Sequence, residues 1–309
     1  MVRPSPPIVD SVLQLIGNTP LVRLRKLAQP GSADILAKLE ARNPGGSVKD
    51  RIALAMIERA EAEGKLGIGS IIVEATAGNT GVSLAMVAAA KGYRLILAIP
   101  EDVPAERRRL FARYGAELVL TSAAQGMAGA DAAAHTLAQQ GPGYFRPHAF
   151  ENPANPAVHQ QTTAQEIWEA TGGKVDALVV GVGTGGTLTG VGRALKEKRP
   201  ILVVAVEPAS APVLSQGRAG AHSIHGIGPS FVPPVLDRSI IDRVISVTDE
   251  SALSTASRLA KEEGLLVGPS SGANVYAALQ VARDLGTGRT VVTFLPDTGE
   301  RYLGMSSEG

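Results

Sequence analysis

The stretch Ala177-Leu-Val-Val-Gly-Val-Gly-Thr-Gly-Gly-Thr-Leu-Thr-Gly-Val-Gly-Arg-Ala-Leu-Lys-Glu-Lys198 determines the fold class. Its apolar run, residues 177–182, predicts a buried strand, and residues 188–198 predict a helix. The turn between them consists of Gly183, Thr184, Gly185, Gly186 and Thr187. A buried strand joined to a helix by a glycine-rich turn is the repeating unit of a parallel sheet covered by helices.

The same alternation recurs along the chain. Further strands are predicted at residues 70–75, 95–99, 117–120, 202–207 and 290–295, and further helices at residues 82–91, 104–114, 249–263 and 268–285. A Pro- and Gly-rich stretch, residues 141–156, interrupts the series and predicts a boundary between two lobes near residue 150. The pattern as a whole predicts an α/β fold with open, mostly parallel sheets.

Composition excludes several classes of function. The 309 residues include 30 Lys and Arg against 29 Asp and Glu, so the chain lacks the basic surplus that nucleic acids or anionic membranes attract. There is no cysteine, and five histidines without an HExxH motif indicate no metal site. Residues 1–10 contain no apolar signal core, and no apolar run approaches the ~18–20 residues of a membrane span. We therefore expect a soluble, cytoplasmic protein.

Lys49 stands where a helix is predicted to begin. The turn before it ends at Ser47, which we predict to be the N-cap, and Asp50 then completes a near capping box. The positive end of the helix dipole disfavours an ammonium group at Lys49. With partial burial, the same field lowers the pKa of the amine and favours the neutral nitrogen that attacks a carbonyl group. The alternative is a solvated lysine, which is common at surfaces.

Two further turns precede predicted helices and carry polar side chains. The segment Thr76-Ala-Gly-Asn-Thr-Gly81 offers hydroxyl, amide and backbone N–H groups that suit a carboxylate or a ring hydroxyl. The segment Gly268-Pro-Ser-Ser-Gly272 brings the Ser270 hydroxyl to another helix start. Either segment could also be an ordinary capped turn.

The glycine-rich turn after residue 182 permits two interpretations. Counted from Gly181 it satisfies GxGxxG, and Glu207 lies near the position of a ribose-binding acid, which would predict a dinucleotide site. Counted from Gly183 it is a nest of N–H groups and two hydroxyls that suits one phosphate. Together with Lys49, the several helix N-termini would form a site for a doubly anionic ligand with a carbonyl group, and pyridoxal phosphate has this chemistry.

Five motifs occur in order along almost the whole chain. They are Asn43-Pro-Gly-Gly-Ser-Val-Lys49-Asp-Arg51, Thr76-Ala-Gly-Asn79-Thr-Gly81, Gly183-Thr-Gly-Gly-Thr187, Ser270-Ser-Gly272 and Pro296-Asp-Thr-Gly-Glu-Arg-Tyr302, preceded by Ile16-Gly-Asn-Thr-Pro20. This set resembles the cysteine synthase family, also called O-acetylserine sulfhydrylase. A set of five linked motifs is far more specific than any one of them, so it outweighs the ordinary-turn alternatives.

The resemblance implies an architecture. Family members are fold-type II pyridoxal-phosphate enzymes with two open, twisted, mostly parallel α/β/α domains and the active site between them. A smaller, mobile N-terminal domain is expected at about residues 43–150. A larger cofactor-binding domain is expected from residues 1–42 and 151–309. The family is usually homodimeric.

The resemblance also implies roles for individual residues. Lys49 forms the internal imine with pyridoxal 5'-phosphate and acts as the general base, Asn79 bonds the ring hydroxyl, and Ser270 faces the pyridine nitrogen. The residues expected to hold the cofactor phosphate are Gly183, Thr184, Gly185, Gly186 and Thr187. The residues expected to bind the substrate are Thr76, Ala77, Gly78, Asn79 and Thr80, with Gly226 at the border of the site.

The implied reaction is a β-replacement that converts O-acetyl-L-serine and sulfide to L-cysteine and acetate through an aminoacrylate. A neutral Ser270 makes the pyridine ring a weaker electron sink than a carboxylate would, which favours β-elimination over transamination. The segment His222-Ser-Ile-His-Gly-Ile-Gly-Pro-Ser-Phe-Val-Pro233 is similar to the A-type isozyme, which commonly binds the C-terminal tail of serine acetyltransferase. That tail is a candidate partner.

Two positions depart from the family pattern. The family usually has Ser where this chain has Ala77, and it has a Gln that helps bind the substrate carboxylate where this chain has Ala149. Losing one such hydrogen bond to a charged group costs about 1.5–3 kcal/mol, enough to alter substrate choice. We expect His148 to be a surface histidine rather than a replacement for this Gln, because adjacent residues of an extended segment point to opposite faces.

Alternative functions remain open at this point. Within the same fold type they are an O-phosphoserine sulfhydrylase, a cystathionine β-synthase-like condensation with homocysteine, and a serine or threonine dehydratase. The GxGxxG interpretation predicts an NAD-dependent oxidoreductase, but it gives Lys49 no role. A binding protein without turnover is a further class, and the substitution at Ala149 is compatible with it.

Overall fold

The computed structural model describes residues 8–304. The start of the chain, Met1 to Pro7, where the sequence shows no apolar signal core, lies outside these residues, as do residues 305–309. Within residues 8–304 no helix combines the length and the apolar character that crossing a membrane requires.

The described chain alternates strands and helices. The strands are β1 (Leu21–Leu24), β2 (Asp34–Leu39), β3 (Ile71–Ala75), β4 (Arg94–Pro100), β5 (Glu117–Thr121), β6 (Tyr144–Phe145), β7 (Ala177–Gly181), β8 (Leu202–Pro208), β9 (Arg243–Val247) and β10 (Thr290–Leu295). The helices are α1 (Lys49–Ala62), α2 (Asn79–Lys91), α3 (Ala105–Arg113), α4 (Gly126–Ala138), α5 (Ala154–Val158), α6 (Ala164–Thr171), α7 (Gly186–Lys198), α8 (Val213–Gln216), α9 (Asp249–Glu263) and α10 (Pro269–Leu285). A π-helical turn, His159–Thr163, joins α5 to α6, and 3-10 turns form at Val12–Leu15, Glu40–Arg42, Ala123–Gln125, Arg238–Ile240 and Gly299–Tyr302.

The strands form two sheets. The larger sheet has the order β1-β2-β10-β7-β8-β9, and the smaller has the order β5-β4-β3-β6. Only the edge pair β1–β2 is antiparallel; the other pairs of both sheets are parallel. This arrangement confirms the α/β fold with mostly parallel sheets. The smaller sheet is built from one continuous part of the chain, whereas the larger one combines strands from both ends. The residue limits of the two domains stay a prediction.

Apolar side chains cover both faces of each sheet. On the larger sheet, one core includes residues of α9 and α10 and the other includes residues of α6 and α7. On the smaller sheet, α1 and α2 pack on one face, while Ala130 and Ala134 of α4 pack on the other. Burial on both faces explains why most of these strands are continuous apolar runs rather than alternating ones.

Buried charges anchor the first turn of α1. The Arg51 guanidinium contacts Glu40 at 2.7 Å and Glu166 at 2.7 Å, and the Lys38 amine contacts Glu166 at 2.6 Å. Burial opposes ionisation of Glu166, but hydrogen bonds from Arg51 and Lys38 outweigh it and lower its pKa to about 2. The four side chains join β2, the Glu40 turn, α1 and α6, so they fix the position at which α1 begins.

Helix α7 packs closely on the segment that leads into the π-helical turn. A Cβ atom added at Gly190 would lie 2.2 Å from the Pro156 carbonyl oxygen and 2.8 Å from the His159 Cβ. Backbone cannot move aside as a flexible side chain can, so this contact requires glycine.

We expect Gly190→Ala to lower the free energy of unfolding by about 1–3 kcal/mol, because overpacking in a close-packed interior forces the backbone to shift. Urea unfolding followed by circular dichroism measures this change. Gly67→Ala is the matched control, since a Cβ at Gly67 has no neighbouring atom within 4 Å. Equal stability of the two variants would contradict the close approach of α7 and α5.

Candidate active site

Lys49 is the first residue of α1 and lies against the end of β10. The Val48 N–H donates to the Pro296 carbonyl oxygen at 2.8 Å, and Ser47 and Asp297 form an isolated antiparallel bridge. The Lys49 side chain lines a cavity together with Gly183, Thr184, Gly185, Thr187 and Gly226. The structure therefore brings the predicted lysine and the predicted phosphate loop to one place.

The helix start differs in detail from the sequence prediction. The helix begins at Lys49, so Val48 rather than Ser47 precedes its first residue, although the Val48 backbone already has helical dihedral angles, which an N-cap residue usually lacks. The Ser47 hydroxyl still accepts the Lys49 N–H at 3.2 Å. Asp50 forms no capping box: its carboxylate accepts the Gly45 N–H at 2.6 Å and the Ser83 hydroxyl at 2.5 Å. Burial raises the pKa of Asp50 to about 6.

The amine of Lys49 has an altered acidity. Burial lowers its pKa from the usual 10.5, while the negative charge of Asp297 opposes part of the decrease. The direction agrees with the sequence analysis, although burial rather than the helix dipole is the main cause. A larger neutral fraction makes Lys49 a better nucleophile and a better base at neutral pH.

The loop between β7 and α7 forms a small cradle. Gly185 has a φ of +86°, a conformation that favours glycine, and a Cβ at Gly183 would lie 2.4 Å from the Gly226 carbonyl oxygen. A Cβ at Gly186 would lie 1.8 Å from Asn155 Oδ1. The glycines thus let this loop pack tightly against Gly226 and Asn155, and the loop leads into the N-terminus of α7, where backbone N–H groups favour binding of a phosphate.

The side chains of Asn155 and His159 contact the threonines of this loop. Asn155 Nδ2 donates to the Thr184 hydroxyl oxygen at 2.9 Å and to the Ala149 carbonyl at 2.7 Å. His159 Nε2 lies 3.1 Å from the Thr187 hydroxyl. Burial, together with the charges of Arg51 and Lys49, lowers the pKa of His159 well below 6.5, so the ring is neutral. The Thr184 hydroxyl accepts from Asn155, which leaves its own proton for a ligand.

The loop between β3 and α2 holds the predicted substrate-binding residues. The Gly78 N–H donates to the Thr76 hydroxyl at 3.2 Å, and Arg107 donates to the Ala77 carbonyl at 3.0 Å. Asn79, the first residue of α2, donates through Nδ2 to Asp297 at 2.6 Å. Thr80 follows in the first turn of α2. Asp297 therefore connects the start of α2 with Ser47, two residues before Lys49.

Ser270 is at the second position of α10 and is 2% exposed. It lies beside Gly226, where an added Cβ would be 3.5 Å from the Ser270 hydroxyl oxygen. Three buried polar atoms near these elements have no hydrogen-bond partner among residues 8–304: Asn155 Oδ1, Ser271 Oγ and Asp297 Oδ1. Unsatisfied buried polar atoms are uncommon in folded proteins and are consistent with a site that is completed by a ligand.

Glu207 does not serve the dinucleotide interpretation. Its carboxylate accepts the Leu214 N–H at 2.7 Å and the hydroxyls of Ser215 at 2.5 Å and Ser246 at 3.2 Å. The side chain is buried and its oxygens are engaged within the protein. It therefore has a structural role and is not presented to a ribose.

Ala149 and His148 are arranged differently from an extended segment. His148 has a φ of +55°, and its N–H donates to Glu74 Oε2 at 2.9 Å. Ala149 is 5% exposed and packs in the apolar core of the smaller sheet. His148 is partly buried and lines a separate cavity with Met56 and Phe145, so it does not replace the missing amide.

Three comparisons with known proteins identify the family. The model of the family "Pyridoxal-phosphate dependent enzyme" matches residues 12–297. A cysteine synthase of Staphylococcus aureus strain Mu50 is 54% identical over 297 residues, which are 96% of each chain. The chain belongs to this pyridoxal-phosphate dependent family, and its cofactor is pyridoxal phosphate. This agrees with the resemblance and with the fold-type II class.

Solved structures give the same result. An O-ureido-L-serine synthase is 46% identical with a TM-score of 0.94 and covers 98% of each chain. A cysteine synthase (OASS) from Entamoeba histolytica is 38% identical with a TM-score of 0.94, covering 100% of this chain and 95% of its own. The residues present fit the cofactor: a buried amine of lowered pKa for its carbonyl carbon, a glycine cradle for its phosphate, and unsatisfied polar atoms on neighbouring elements.

Several residues that shape the site were not singled out in the sequence. Asp297, Arg301 and Tyr302 belong to a motif that was matched without roles, and Asn155 and His159 were not assigned at all. The Asn155 and His159 spacing of four places both on one helical face, and this is the signal that could have indicated a shared function.

We expect Asn155→Ala to weaken pyridoxal phosphate binding about tenfold to hundredfold, because an unsatisfied buried partner costs about 1–3 kcal/mol. A fluorescence titration of the apoenzyme with the cofactor measures the affinity. Asn152→Ala is the control, since Asn152 also makes two hydrogen bonds in this segment, to Pro147 and Ala154, but none to the loop. An unchanged affinity in Asn155→Ala would contradict the supporting role.

Proposed function

We propose that this enzyme converts O-acetyl-L-serine and sulfide into L-cysteine and acetate, a β-replacement in cysteine biosynthesis. One observation carries the proposal: Lys49 and the glycine cradle line the same cavity in a chain that is 54% identical to a cysteine synthase over 96% of its length. The structural neighbour from Entamoeba histolytica, a cysteine synthase (OASS), supports the same activity.

The cofactor supplies an electron sink for the pair that remains when a proton leaves the α carbon of the substrate. Lys49 would hold the cofactor through its amine, and once the substrate amine had taken its place there, the freed Lys49 amine would take the α proton as general base. Its lowered pKa supports this role, since only the neutral amine can accept a proton. Ser270, a neutral group, would face the pyridine nitrogen, which would limit the sink and favour loss of the β substituent over transamination.

The remaining roles are assigned to residues of the loops and helix starts near the cavity. Asn79 bonds the cofactor ring hydroxyl, and Gly226 borders the space for the substrate. The phosphate is held by Gly183, Thr184, Gly185, Gly186 and Thr187. The substrate carboxylate is bound by Thr76, Ala77, Gly78, Asn79 and Thr80. This assignment is supported by the cavity that Gly183, Thr184, Gly185, Thr187 and Gly226 line together with Lys49, and by the hydrogen bond from Asn79 to Asp297.

The wider context of the enzyme is also a proposal. We infer that the chain acts in the cytoplasm as a homodimer, since the family it resembles is usually dimeric. The C-terminal tail of serine acetyltransferase is a candidate partner. The similarity of residues 222–233 to the A-type isozyme supports it, because His225 and Gly226 lie in this segment and Gly226 lines the cavity.

We expect Lys49→Ala to bind the cofactor weakly and to lose turnover by about a hundredfold to ten-thousandfold, the usual contribution of a general base. Absorbance of the bound cofactor and the rate of cysteine formation measure the two effects. Lys65→Ala is the matched control, because Lys65 is exposed and pairs with Glu63 at the surface. Normal activity in Lys49→Ala would refute the assignment of the base.

The substrate assignment is tested with a panel. O-acetylserine, O-phosphoserine and serine are each supplied with sulfide and with homocysteine, and the amino-acid products are measured. We expect cysteine from O-acetylserine and sulfide to form fastest. If no cysteine forms from O-acetylserine, the proposed activity is wrong, and faster turnover of another pair would identify the true substrates.

A further inference from the structure

Asp297 carries a buried carboxylate that the mechanism above does not use. It lies two residues after the end of β10, is 1% exposed, and pairs with Ser47, which is two residues before Lys49. A Cβ at Gly268 would be 2.3 Å from Asp297 Oδ1, so the residue before α10 packs directly against the carboxylate. Burying a carboxylate is costly unless hydrogen bonds or charges compensate, so its retention here needs a reason.

Two donors occupy one oxygen of this carboxylate. Oδ2 accepts from Asn79 Nδ2 at 2.6 Å and from the Tyr302 hydroxyl at 2.5 Å, while Oδ1 has no partner among residues 8–304. The charged and titratable groups that face it are Lys49 on α1, Arg301 and Tyr302 after β10, and His225 on the loop before Gly226. Burial raises the pKa of Asp297, and the Tyr302 and Asn79 hydrogen bonds and the Arg301 and Lys49 charges oppose the increase.

The neighbours of Asn79 fix the orientation of its amide. An ionised carboxylate can only accept a hydrogen bond, and a guanidinium can only donate one. Asn79 Nδ2 donates to Asp297, and Arg301 donates to Asn79 Oδ1 at 2.5 Å. If the amide were flipped, its NH2 group would point at the Arg301 donor and its oxygen at the Asp297 carboxylate, and both hydrogen bonds would be lost. This network leaves the second N–H of Asn79 available to another acceptor.

Asp297 also lies close to the start of α1, because it bridges Ser47, two residues before Lys49. Lys49 is the amine whose pKa burial lowers, and the negative charge of Asp297 limits that decrease. Without this charge the amine would be still less basic. The Asp297 carboxylate thus accepts a hydrogen bond from Asn79 and interacts electrostatically with Lys49.

We propose that Asp297 is a positioning residue of the active site: it holds the Asn79 amide with one N–H directed at the cofactor, and it places a carboxylate beside the turn that carries Lys49. The part that concerns Asn79 rests on the cofactor role given to that residue above. The part that concerns Lys49 does not depend on which substrates the enzyme uses.

The first test measures the basicity of Lys49 in the apoenzyme. An amine-reactive reagent is applied over a range of pH, and labelling of the peptide that contains Lys49 is quantified by mass spectrometry. In Asp297→Asn the pH of half-maximal labelling should fall by about one unit, because a neighbouring opposite charge is lost. Asp297→Ser, also neutral and smaller, should show the same decrease. An unchanged profile in both variants would overturn the proposal.

Two further variants separate charge from packing. Tyr302→Phe removes a donor to Asp297 but keeps the carboxylate, so its labelling profile should stay within about 0.3 pH unit of the original. Asp284→Asn removes an exposed carboxylate that pairs with Arg243 and should change nothing. If Tyr302→Phe lowers the profile as much as Asp297→Asn does, the effect comes from local packing and the inference is wrong.

The second test concerns Asn79 and uses cofactor affinity. Asp297→Glu keeps the charge but displaces the carboxylate, so Lys49 labelling should change little, whereas the dissociation constant for pyridoxal phosphate should rise about tenfold, for the loss of one hydrogen bond. An unchanged affinity would refute the positioning of Asn79. Labelling and affinity are read without substrate, so they stay informative even if the substrate panel disproves the proposed reaction.

Discussion

The ion pairs around Arg51 set the geometry on which the active site depends. Arg51 lies on the first turn of α1, two residues after Lys49, and contacts Glu40 and Glu166 inside the protein. Removing one partner of such a buried pair is expensive because the other charge stays buried, with costs of about 3–5 kcal/mol. The start of α1 is therefore held by β2, the Glu40 turn and α6, and Lys49 cannot withdraw to solvent without disturbing this network.

Most of the fold could be predicted because most of its strands are covered on both faces. Runs such as β4 and β7 are continuous and apolar, so they contrast strongly with the turns that bound them. The half-exposed edge strands β1 and β9 lack this contrast, and β6 has only two residues, so the sequence does not reveal them. Helices α2 and α7 begin earlier than predicted because glycine and asparagine, which are typical of turns, form their first turns.

The candidate site shows where prediction from sequence ends. Lys49 could be identified because a lysine at the start of a helix goes against the usual charge preference. The phosphate loop could be identified because its glycines and hydroxyls match a phosphate-binding turn. Asp297 and Asn155 act through contacts with residues 218 and 29 positions away in the chain, and no local pattern reports such contacts. Glu207 illustrates the opposite case. Its spacing from the glycine-rich turn suggested a contact with a ligand, but its carboxylate instead accepts hydrogen bonds from a backbone N–H and from hydroxyl groups of the protein.

The late position of β10 in the chain has a consequence for folding during synthesis. β10 is a central strand of the larger sheet, between β2 and β7, although it is the last strand of the described chain. The smaller sheet, from β3 to β6, can assemble while the ribosome is still translating the second half, because domains generally form as units in N-terminal order. The larger sheet must wait for β10, and until then β2 and β7 present unpaired edges to chaperones. A ribosome that stalls before residue 290 would thus release a half-folded protein unable to capture its vitamin-derived coenzyme.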